Sequence, residues 1–391
     1  MNEEEPEETS AGPLYVHVPT PGDHYSPSTG SAIMTVIYEL SRHHEEAGGR
    51  TRIIVGRGTR HDYPVGDCME VDFHGLPSKR EKLADAAAGA LGFARRFAAA
   101  VYEPALTAIE AEFEGPLLVY NNPGPVRVFK RDRPRARCGL YAQNAVFRTY
   151  TRRELCRTIE TAEFVICVSN FIAEDIARRL GRPSDKLSVV HNGVDLERFR
   201  PLMPRSDLIE PVVLFVGRVI PEKGPDILLR AARKVLGPKR QFRVRIVGSP
   251  GFSATDPLSS YERRLRELAE PIAEAVDFQP FVDRRSVVDE YSRASIFCVP
   301  SNWDDPCPLT VPEALACGLP TIAARRGGIP EVGGDAVLYF EPPNVDEFAE
   351  RLAYLIDDES ARAEWGRRAR ARAADFSWAN QYEKLRVAIE D

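Results

Sequence analysis

The chain contains a series of short, mostly apolar segments, each followed by a turn rich in glycine or polar residues and then by a stretch with helical periodicity. Such segments are typical of strands that are buried on both faces of a parallel sheet, with helices covering the sheet. This pattern predicts an α/β fold. The apolar segments lie at 14–18, 51–55, 116–120, 138–142, 164–169, 187–190, 212–218, 242–249, 294–301 and 319–324.

The pattern of strands and helices occurs twice, on either side of a proline-rich connection at 200–211. Because 391 residues exceed what one hydrophobic core usually serves, we predict two Rossmann-like domains, at 13–205 and 206–375. Their parallel sheets are expected to face each other across a cleft, since ligands of such sheets bind at the carboxyl ends of the strands. Residues 1–12 are predicted to be a disordered acidic tail, and residues 376–391 a C-terminal helix.

Composition narrows the classes of function. The net charge of −6 argues against a nucleic-acid binder. The seven cysteines are widely spaced and contain no C-x-x-C, which argues against a zinc site or a disulfide framework and favours the cytoplasm. No run of about 18 apolar residues occurs, so no transmembrane segment is predicted. The basic run at 130–138 leaves a peripheral membrane contact open, with a solvated face as the alternative.

The segment GRVIPEKG, at 217–224, follows an apolar strand and precedes a predicted helix. Gly217 allows the chain to turn sharply and a ligand to approach the backbone. Arg218 supplies a planar fork that suits phosphate oxygens, and Lys223 supplies a movable positive charge. The segment therefore suits a diphosphate, with a surface loop whose basic side chains point to water as the alternative.

The segment at 300–320 combines the end of a strand, an irregular loop and the start of a helix. Pro312 is tolerated only in the first helical turn, so the helix is predicted to begin near Thr310. The free N–H groups of that turn would favour an anion. Glu313 lies in the same turn and Asp305 in the loop before it. Taken singly, the two acidic residues are more typical of helix capping and turn formation.

Together these segments resemble the family 4 retaining glycosyltransferases, which have the GT-B fold. That family carries GRxxxxKG followed by an E-x7-E element. The matching stretch here is DPCPLTVPEALACGLP, with Asp305 and Glu313 at the two acidic positions. The resemblance covers nearly the whole chain and implies a closing helix that crosses back to the first domain. Further blocks that match the family in order lie at 191–199, 247–249 and 327–331.

The resemblance also implies roles for individual residues. Arg218 and Lys223 would bind the donor diphosphate and stabilise the negative charge that grows as the sugar leaves. Asp305 would orient hydroxyls of the donor sugar, and Glu313 would hold the nucleotide ribose. Gln143, the fourth residue implied in catalysis, lies where many members have a histidine near the reacting sugar. The residues implied to contact the nucleotide sugar are Gly30, Gly217, Arg218, Lys223, Gly248, Val282, Leu309, Thr310 and Glu313.

The activity that the resemblance implies is transfer of a hexose-type sugar from a UDP or GDP donor to an unidentified acceptor, such as a glycan, a lipid-linked precursor or a secondary metabolite. The anomeric configuration would be retained, with the leaving phosphate helping to take the acceptor proton. No metal ion or other cofactor would be needed, and the protein would be a monomer or a homodimer. An epimerase or phosphorylase of the same fold, or a non-catalytic binding protein, is the alternative.

Three positions depart from the family pattern. Asp305 stands where glutamate is usual, so its carboxylate is one methylene shorter. Pro308 replaces a usual glycine and lacks an N–H donor. Gln143 can hydrogen-bond a sugar hydroxyl or a phosphate but cannot act as a base, which argues against a histidine-assisted step. Three histidines near predicted strand ends or loops are weaker candidates for the cleft: His17, His24 and His191.

Overall fold

The computed structural model of the protein describes residues 12–201, 210–251, 253–255 and 257–390. The predicted acidic tail, except for its last residue, lies outside the described residues. So does most of the proline-rich connection, including the predicted boundary between residues 205 and 206. The described chain forms two α/β halves, each built on one sheet.

The first half contains a sheet in which every pairing is parallel. Its strands are β1 (Leu14–Val18), β2 (Arg50–Gly56), β3 (Asp67–Val71), β4 (Pro116–Tyr120), β5 (Arg137–Ala142), β6 (Val165–Cys167) and β7 (Leu187–Val189). Their order across the sheet is β3-β2-β1-β4-β5-β6-β7. The chain therefore winds outward in both directions from β1 and β4, and a crevice opens at the carboxyl ends of these two strands.

The second half contains a parallel sheet of the same kind. Its strands are β8 (Val212–Val216), β9 (Arg243–Val247), β10 (Val276–Gln279), β11 (Ile296–Val299), β12 (Thr321–Ala324) and β13 (Leu338–Phe340). Their order is β10-β9-β8-β11-β12-β13, so the reversal lies between β8 and β11. The segment that begins at Gly217 follows β8, and the loop that holds Asp305 follows β11. Both loops therefore leave the sheet at its switch point.

Helices cover both faces of each sheet, as parallel strands require. The helices of the first half are α1 (Ala32–Glu46), α2 (Lys79–Ala90), α3 (Arg96–Ala100), α4 (Glu103–Ala108), α5 (Val126–Asp132), α6 (Arg152–Thr161) and α7 (Asn170–Leu180). Those that follow are α8 (Pro225–Val235), α9 (Ser260–Ala269), α10 (Val287–Ser292), α11 (Thr310–Ala316), α12 (Ile329–Gly333), α13 (Val345–Asp357), α14 (Glu359–Ala373) and α15 (Trp378–Glu390).

Several helix ends coincide with residues that supply caps. Helix α7 begins after Ser169, whose Oγ accepts a hydrogen bond from the Ile172 N–H (3.4 Å), and it ends at Gly181, which has φ +72°. Helix α8 begins at Pro225, where the missing N–H costs nothing. The alanine-rich stretch 81–113, whose composition predicts a helical pair, instead forms the last part of α2 and the short helices α3 and α4.

The C-terminal helix α15 packs on α1 in the first half. The hydroxyl of Tyr382 lies 3.0 Å from Nδ1 of His44, and the hydroxyl of Tyr15 donates to the Glu390 carboxylate (2.9 Å). Before the helix begins, the N–H of Val194 donates to the carbonyl of Phe376 (2.8 Å). The end of the chain is therefore anchored to the half in which the chain begins.

His17 on β1 is buried in the core of the first half. Its Nδ1 lies 2.8 Å from the hydroxyl of Tyr120 on the neighbouring strand β4. Burial, with a smaller contribution from His44, lowers the pKa of His17 to about 3. His17 is therefore neutral in the folded protein at ordinary pH.

Candidate active site

A cleft with a volume of about 410 Å³ lies between the two halves, at the carboxyl ends of both sheets. Residues from the first half and from the second half line it together. The residues named from the sequence for donor binding and catalysis all lie along this cleft: Gly30, Gln143, Gly217, Arg218, Lys223, Gly248, Val282, Asp305, Leu309, Thr310 and Glu313.

Two glycines bring the backbones after β8 and β9 into close contact at the cleft. Gly248 has φ +140°, and a Cβ atom at this position would lie 1.9 Å from the carbonyl oxygen of Gly217. Any side chain at residue 248 would therefore push the two strand ends apart. Glycine here keeps the floor of the cleft as bare backbone, which a bulky ligand can approach closely.

Arg218 and Lys223 present positive charge to the cleft from one loop. Arg218 is exposed and has no carboxylate within ion-pair distance among the described residues. Lys223 ends a short 3-10 turn before Gly224, which has φ +67°. A Cβ atom at residue 224 would lie 2.0 Å from the carbonyl oxygen of Pro300, so glycine is needed where this loop crosses the end of β11.

The ammonium group of Lys223 forms an ion pair with the carboxylate of Asp305. The same ammonium group lies 5.7 Å from the ring centroid of Trp303. The resemblance implies that Lys223 binds the diphosphate and that Asp305 binds the sugar. The ion pair therefore joins two side chains that are predicted to contact different parts of the ligand. A ligand that binds here must compete for Lys223 with a nearly buried carboxylate.

A glycine pair supports the loop that carries Asp305. A Cβ atom at Gly327 would lie 2.2 Å from the Asp305 carbonyl oxygen, and one at Gly328 would lie 1.9 Å from that of Pro306. The Gly328 N–H donates to the Asp305 carbonyl (2.8 Å). The segment GGIPE, at 327–331, therefore packs directly behind the loop and fixes its path.

Glu313 is 1% exposed and is held by two donors, neither of which the sequence identified. The guanidinium of Arg284 donates to one carboxylate oxygen, and the hydroxyl of Tyr291 donates to the other (2.8 Å). Burial alone would lower the pKa of Arg284, but the charge and hydrogen bond of Glu313 outweigh it and raise that pKa. The carboxylate is thus fixed at the base of helix α11, with one guanidinium beside it.

Arg284 also joins the two halves. Its side chain lines the cleft, and its N–H donates to the carbonyl of Pro27 (3.0 Å), in the loop that precedes Gly30. No local pattern surrounds Arg284 in the loop after β10, so only its contact with Glu313 in the folded protein reveals its role.

Four polar atoms of the cleft are buried and have no hydrogen-bond partner among the described residues. Leaving such a group unpaired costs about 1–3 kcal/mol, so a set of them in one cleft indicates a ligand with many hydroxyl or phosphate oxygens. Their residues all line the cleft. The atoms are Nε2 of Gln143, Oδ1 of Asn192, Oγ of Ser301 and Nε1 of Trp303.

Gln143 and Asn192 belong to the first half, and each is held in place by a hydrogen bond. The Gln143 N–H donates to Oδ1 of Asn121 (2.7 Å), a residue with φ +53°. Asn192 donates through Nδ2 to the carbonyl of Cys307 in the second half (2.6 Å). Nε2 of Gln143 and Oδ1 of Asn192 therefore stay available to a ligand.

A second contact between the halves surrounds Glu331 on α12. Its carboxylate accepts hydrogen bonds from the N–H groups of Asn170 (2.6 Å) and Phe171 (2.7 Å) at the start of α7, and from Nε2 of His191 (3.0 Å). Burial alone would raise the pKa of Glu331, but the hydrogen bonds from His191, Phe171 and Asn170 together lower it. A carboxylate of one half thus caps a helix of the other.

The three histidines considered from the sequence do not line the cleft. His17 is buried against Tyr120, and His191 is bound to Glu331. His24 accepts from the N–H of Arg60 through Nδ1 (2.8 Å).

No helix among the described residues combines the length and the apolar character that a bilayer span requires.

Two family profiles match the sequence. "Glycosyltransferase Family 4" matches residues 33–198, and "Glycosyl transferases group 1" matches residues 204–372. Among characterised proteins, spore coat protein SA of Bacillus subtilis is 29% identical over 70% of this chain and 77% of its own length. The D-inositol 3-phosphate glycosyltransferase 2 of Catenulispora acidiphila is 34% identical over 57% of this chain. The alignment spans 54% of that relative, about half of its length.

Solved structures agree in fold over nearly the whole chain. Sucrose-phosphate synthase from Thermosynechococcus elongatus superposes with a TM-score of 0.73 at 19% identity, covering 95% of this chain and 97% of that one. Anabaena Alr3699/HepE in complex with UDP and glucose superposes with a TM-score of 0.70 at 17% identity, covering 96% and 99%. Identities this low show the fold alone.

The protein therefore has the GT-B fold, with two Rossmann-like halves that face each other across a cleft. It belongs to glycosyltransferase family 4, because the two profiles match consecutive parts of the chain. The family and fold class predicted from the sequence are both confirmed.

Proposed function

We propose that the protein transfers a hexose-type sugar from a nucleoside-diphosphate donor to a hydroxyl group of an acceptor, with retention of the anomeric configuration and without a metal ion. The observation that carries this proposal is the convergence of Arg218 and Lys223 on one cleft with the buried carboxylate of Glu313. Two cations suit a diphosphate, and a fixed carboxylate suits the hydroxyls of a ribose.

The cationic groups would supply the stabilisation of the leaving group. As the bond between the anomeric carbon and the phosphate oxygen breaks, negative charge grows on the diphosphate, and Arg218 and Lys223 are positioned along the cleft to meet it. The acceptor oxygen forms the new bond on the same face of the sugar, and its proton passes to the departing phosphate. Positive side chains thus take the part that a divalent ion plays elsewhere, and this supports metal independence.

The sugar would occupy the part of the cleft near Asp305. Binding of the diphosphate draws Lys223 away from Asp305, which leaves that carboxylate free to accept from sugar hydroxyls. The unpartnered atoms of Gln143, Ser301 and Trp303 supply further polar contacts. Gln143 acts here by hydrogen bonding only, since an amide cannot take a proton at neutral pH.

UDP is the first nucleotide to test, and GDP the second. Solved structures of Alr3699/HepE contain UDP, UDP with glucose, or UDP-glucose, and that protein shares the fold over nearly its full length. We propose a cytoplasmic location, which the seven unpaired cysteine thiols support.

The test is a thermal-shift screen of UDP-sugars and GDP-sugars, followed by turnover of each stabilising donor with and without a panel of acceptors. We expect one donor to raise the melting temperature, because a ligand bound only by the folded state stabilises it. We expect acceptor-dependent release of nucleoside diphosphate that survives EDTA.

Other outcomes would contradict the proposal in distinct ways. Conversion of the donor to an epimer without any acceptor would indicate an epimerase, and dependence on free phosphate a phosphorylase. Failure of every nucleotide sugar to bind would indicate a non-catalytic protein. Loss of turnover in EDTA with recovery in magnesium would contradict metal independence.

A further inference from the structure

Exposed apolar side chains are concentrated in one segment of the first half. Among the described residues, seven large apolar side chains are exposed, and four of them fall between residues 76 and 93. Their exposed fractions are 80% for Leu76, 72% for Leu83, 62% for Leu91 and 60% for Phe93. Single exposed apolar residues are ordinary, but a group of this size on a folded surface indicates an interaction.

The turn that presents Leu91 and Phe93 is held by arginines. These two residues flank Gly92, which has φ +84° and whose carbonyl accepts from Arg127 (3.2 Å) and from Arg157. A Cβ atom at residue 92 would lie 3.0 Å from Nε of Arg153, so this third guanidinium also lies against the turn. Burial and the nearby charge of Arg157 lower the pKa of Arg127. The two apolar side chains therefore project beside a cluster of positive charge.

The cations of this surface outnumber its carboxylates. Arg95 pairs with the buried Glu154, but among the described residues no other cation of the surface lies within ion-pair distance of an acidic side chain. Of the two carboxylates on α2, Glu81 accepts from the N–H of Ser78 (2.7 Å), and the buried Asp85 caps α3. The unpaired cations are Lys79, Arg80, Lys82, Arg96, Arg127, Arg153 and Arg157.

The basic run at 130–138 differs in this respect. Lys130 pairs with Glu163, Arg131 with Asp132, and Arg135 with Glu112. Its charges are therefore largely balanced. In a chain with a net charge of −6, the unbalanced cations around residues 76–96 form a local positive surface.

We propose that this lipid-facing surface, made of residues 76–96 with Arg127, Arg153 and Arg157, docks on a membrane that contains anionic lipids. Leucine and phenylalanine side chains would enter the boundary between headgroups and acyl chains, while the cations meet lipid phosphates. Unpaired cations alone would suit any polyanion. The exposed aliphatic side chains among them favour a lipid surface, because a nucleic acid offers them nothing to bury against.

The lipid-facing surface is linked to the cleft by one loop. Arg95 donates to the carbonyl of Thr149 (2.6 Å), and its guanidinium lies 3.7 Å from the ring centroid of Tyr150. Thr149 and Tyr150 end the loop that begins with Gln143 and Asn144, and these two residues line the cleft. A docked membrane would therefore lie near the mouth of the cleft and present acceptors carried on lipids. That consequence rests on the proposed function, whereas the docking itself does not.

The test is co-sedimentation of the full chain with phosphatidylcholine vesicles, with and without phosphatidylglycerol, at low and high salt and without any sugar nucleotide. We expect binding to the anionic vesicles only, weakened by salt. A Leu91→Ser/Phe93→Ser variant and a Lys82→Glu/Arg153→Glu variant should each bind the anionic vesicles at least roughly tenfold more weakly. The first loses apolar contact with the lipid, and the second loses surface cations that each contribute about 1 kcal/mol.

The matched control is Leu258→Ser/Val387→Ser, which removes exposed apolar side chains outside this surface and should bind as the unmodified protein does. Unchanged thermal unfolding would show that all variants fold. The proposal is overturned if anionic vesicles bind no protein, if neutral vesicles bind as much, or if the control loses as much binding as the test variants. A protein dimer that the Leu91→Ser/Phe93→Ser change abolishes, without any vesicle binding, would assign the surface to self-association instead. Because no donor is present, failure here leaves the transferase proposal standing.

Discussion

The guanidinium of Arg284, which is half-buried, donates to the buried carboxylate of Glu313 at the base of the cleft, with Arg284 contributed by the loop after β10 and Glu313 by α11. Such a pair fixes the position and charge of the carboxylate more firmly than a solvent-exposed acid can. It also makes each partner depend on the other, because a single buried charge is far more costly than a pair.

Removing one member of this pair should therefore destabilise the fold. We expect Glu313→Gln and Arg284→Met each to lower the free energy of unfolding by about 3–5 kcal/mol, measured by urea denaturation. The double variant should lose much less than the sum, because no charge is then left unpaired. Strictly additive losses would show that the two side chains do not depend on each other.

The ion pair between Lys223 and Asp305 predicts that one substitution raises the affinity for UDP and lowers the rate of sugar transfer. In Asp305→Asn, Lys223 loses its carboxylate partner, so UDP should bind several-fold more tightly by calorimetry. Transfer should nevertheless fall by about 10²–10³, since the contact to the sugar is lost. Asp304→Asn, at the exposed neighbouring position, should change neither quantity. A parallel loss of UDP affinity and transfer in Asp305→Asn would contradict the pairing.

The buried His17 predicts an acid sensitivity. Its folded-state pKa, about 3, lies below the ordinary value of 6.5, so the unfolded chain takes up a proton in this window and the folded protein does not. Stability should fall by about 1.4 kcal/mol per pH unit from this group as the pH drops from 6.5 towards 3. His17→Gln should remove that slope, whereas Tyr120→Phe, which removes only the hydrogen-bond partner, should keep it. An unchanged slope in His17→Gln would contradict the burial of a neutral ring.

Glu331 should make the contact between the halves sensitive to acid in a different range. Because its pKa is lowered in the folded state, its contribution is present above about 4.5 and is lost as the pH falls further. At neutral pH, Glu331→Gln should lower the free energy of unfolding by about 1–3 kcal/mol, since a charged acceptor is lost from the start of α7. Glu341→Gln, at an exposed carboxylate, is the control. Equal effects of the two changes would contradict a specific role for Glu331.

The parts of the site that the sequence could predict are those that lie directly after apolar strands. Arg218 follows β8, and the loop of Asp305 follows β11; because parallel strands end at the same edge of a sheet, residues far apart in the chain come together there. The apolar runs themselves were sufficient to predict the parallel sheets. Pro312 predicted the start of α11, and the structure has the helix beginning at Thr310.

Strand β13 escaped prediction although it lies in an apolar run at 336–340. The other parts that escaped prediction have no local signal. Strands β3 and β10 read DCMEV and VDFQ, and their half-exposed side chains give no apolar run. In the alanine-rich stretch, α2 ends before Gly92, and exposed leucine and phenylalanine side chains blur the helical pattern there. Arg284 and Glu331 act through partners in other loops or in the other half, and such contacts exist only once the two sheets are brought together.

The central claim is that Arg218 and Lys223 grip a diphosphate in this cleft, and calorimetric titration of UDP and GDP into single variants tests it most directly. Arg218→Ala and Lys223→Ala should each weaken binding of the preferred nucleotide by roughly tenfold or more, since a hydrogen bond to a charged group contributes about 1.5–3 kcal/mol. Arg240→Ala and Lys234→Ala, at exposed cations that pair with carboxylates outside the cleft, should bind as the unmodified protein does. Unchanged affinity in both Arg218→Ala and Lys223→Ala would contradict the account.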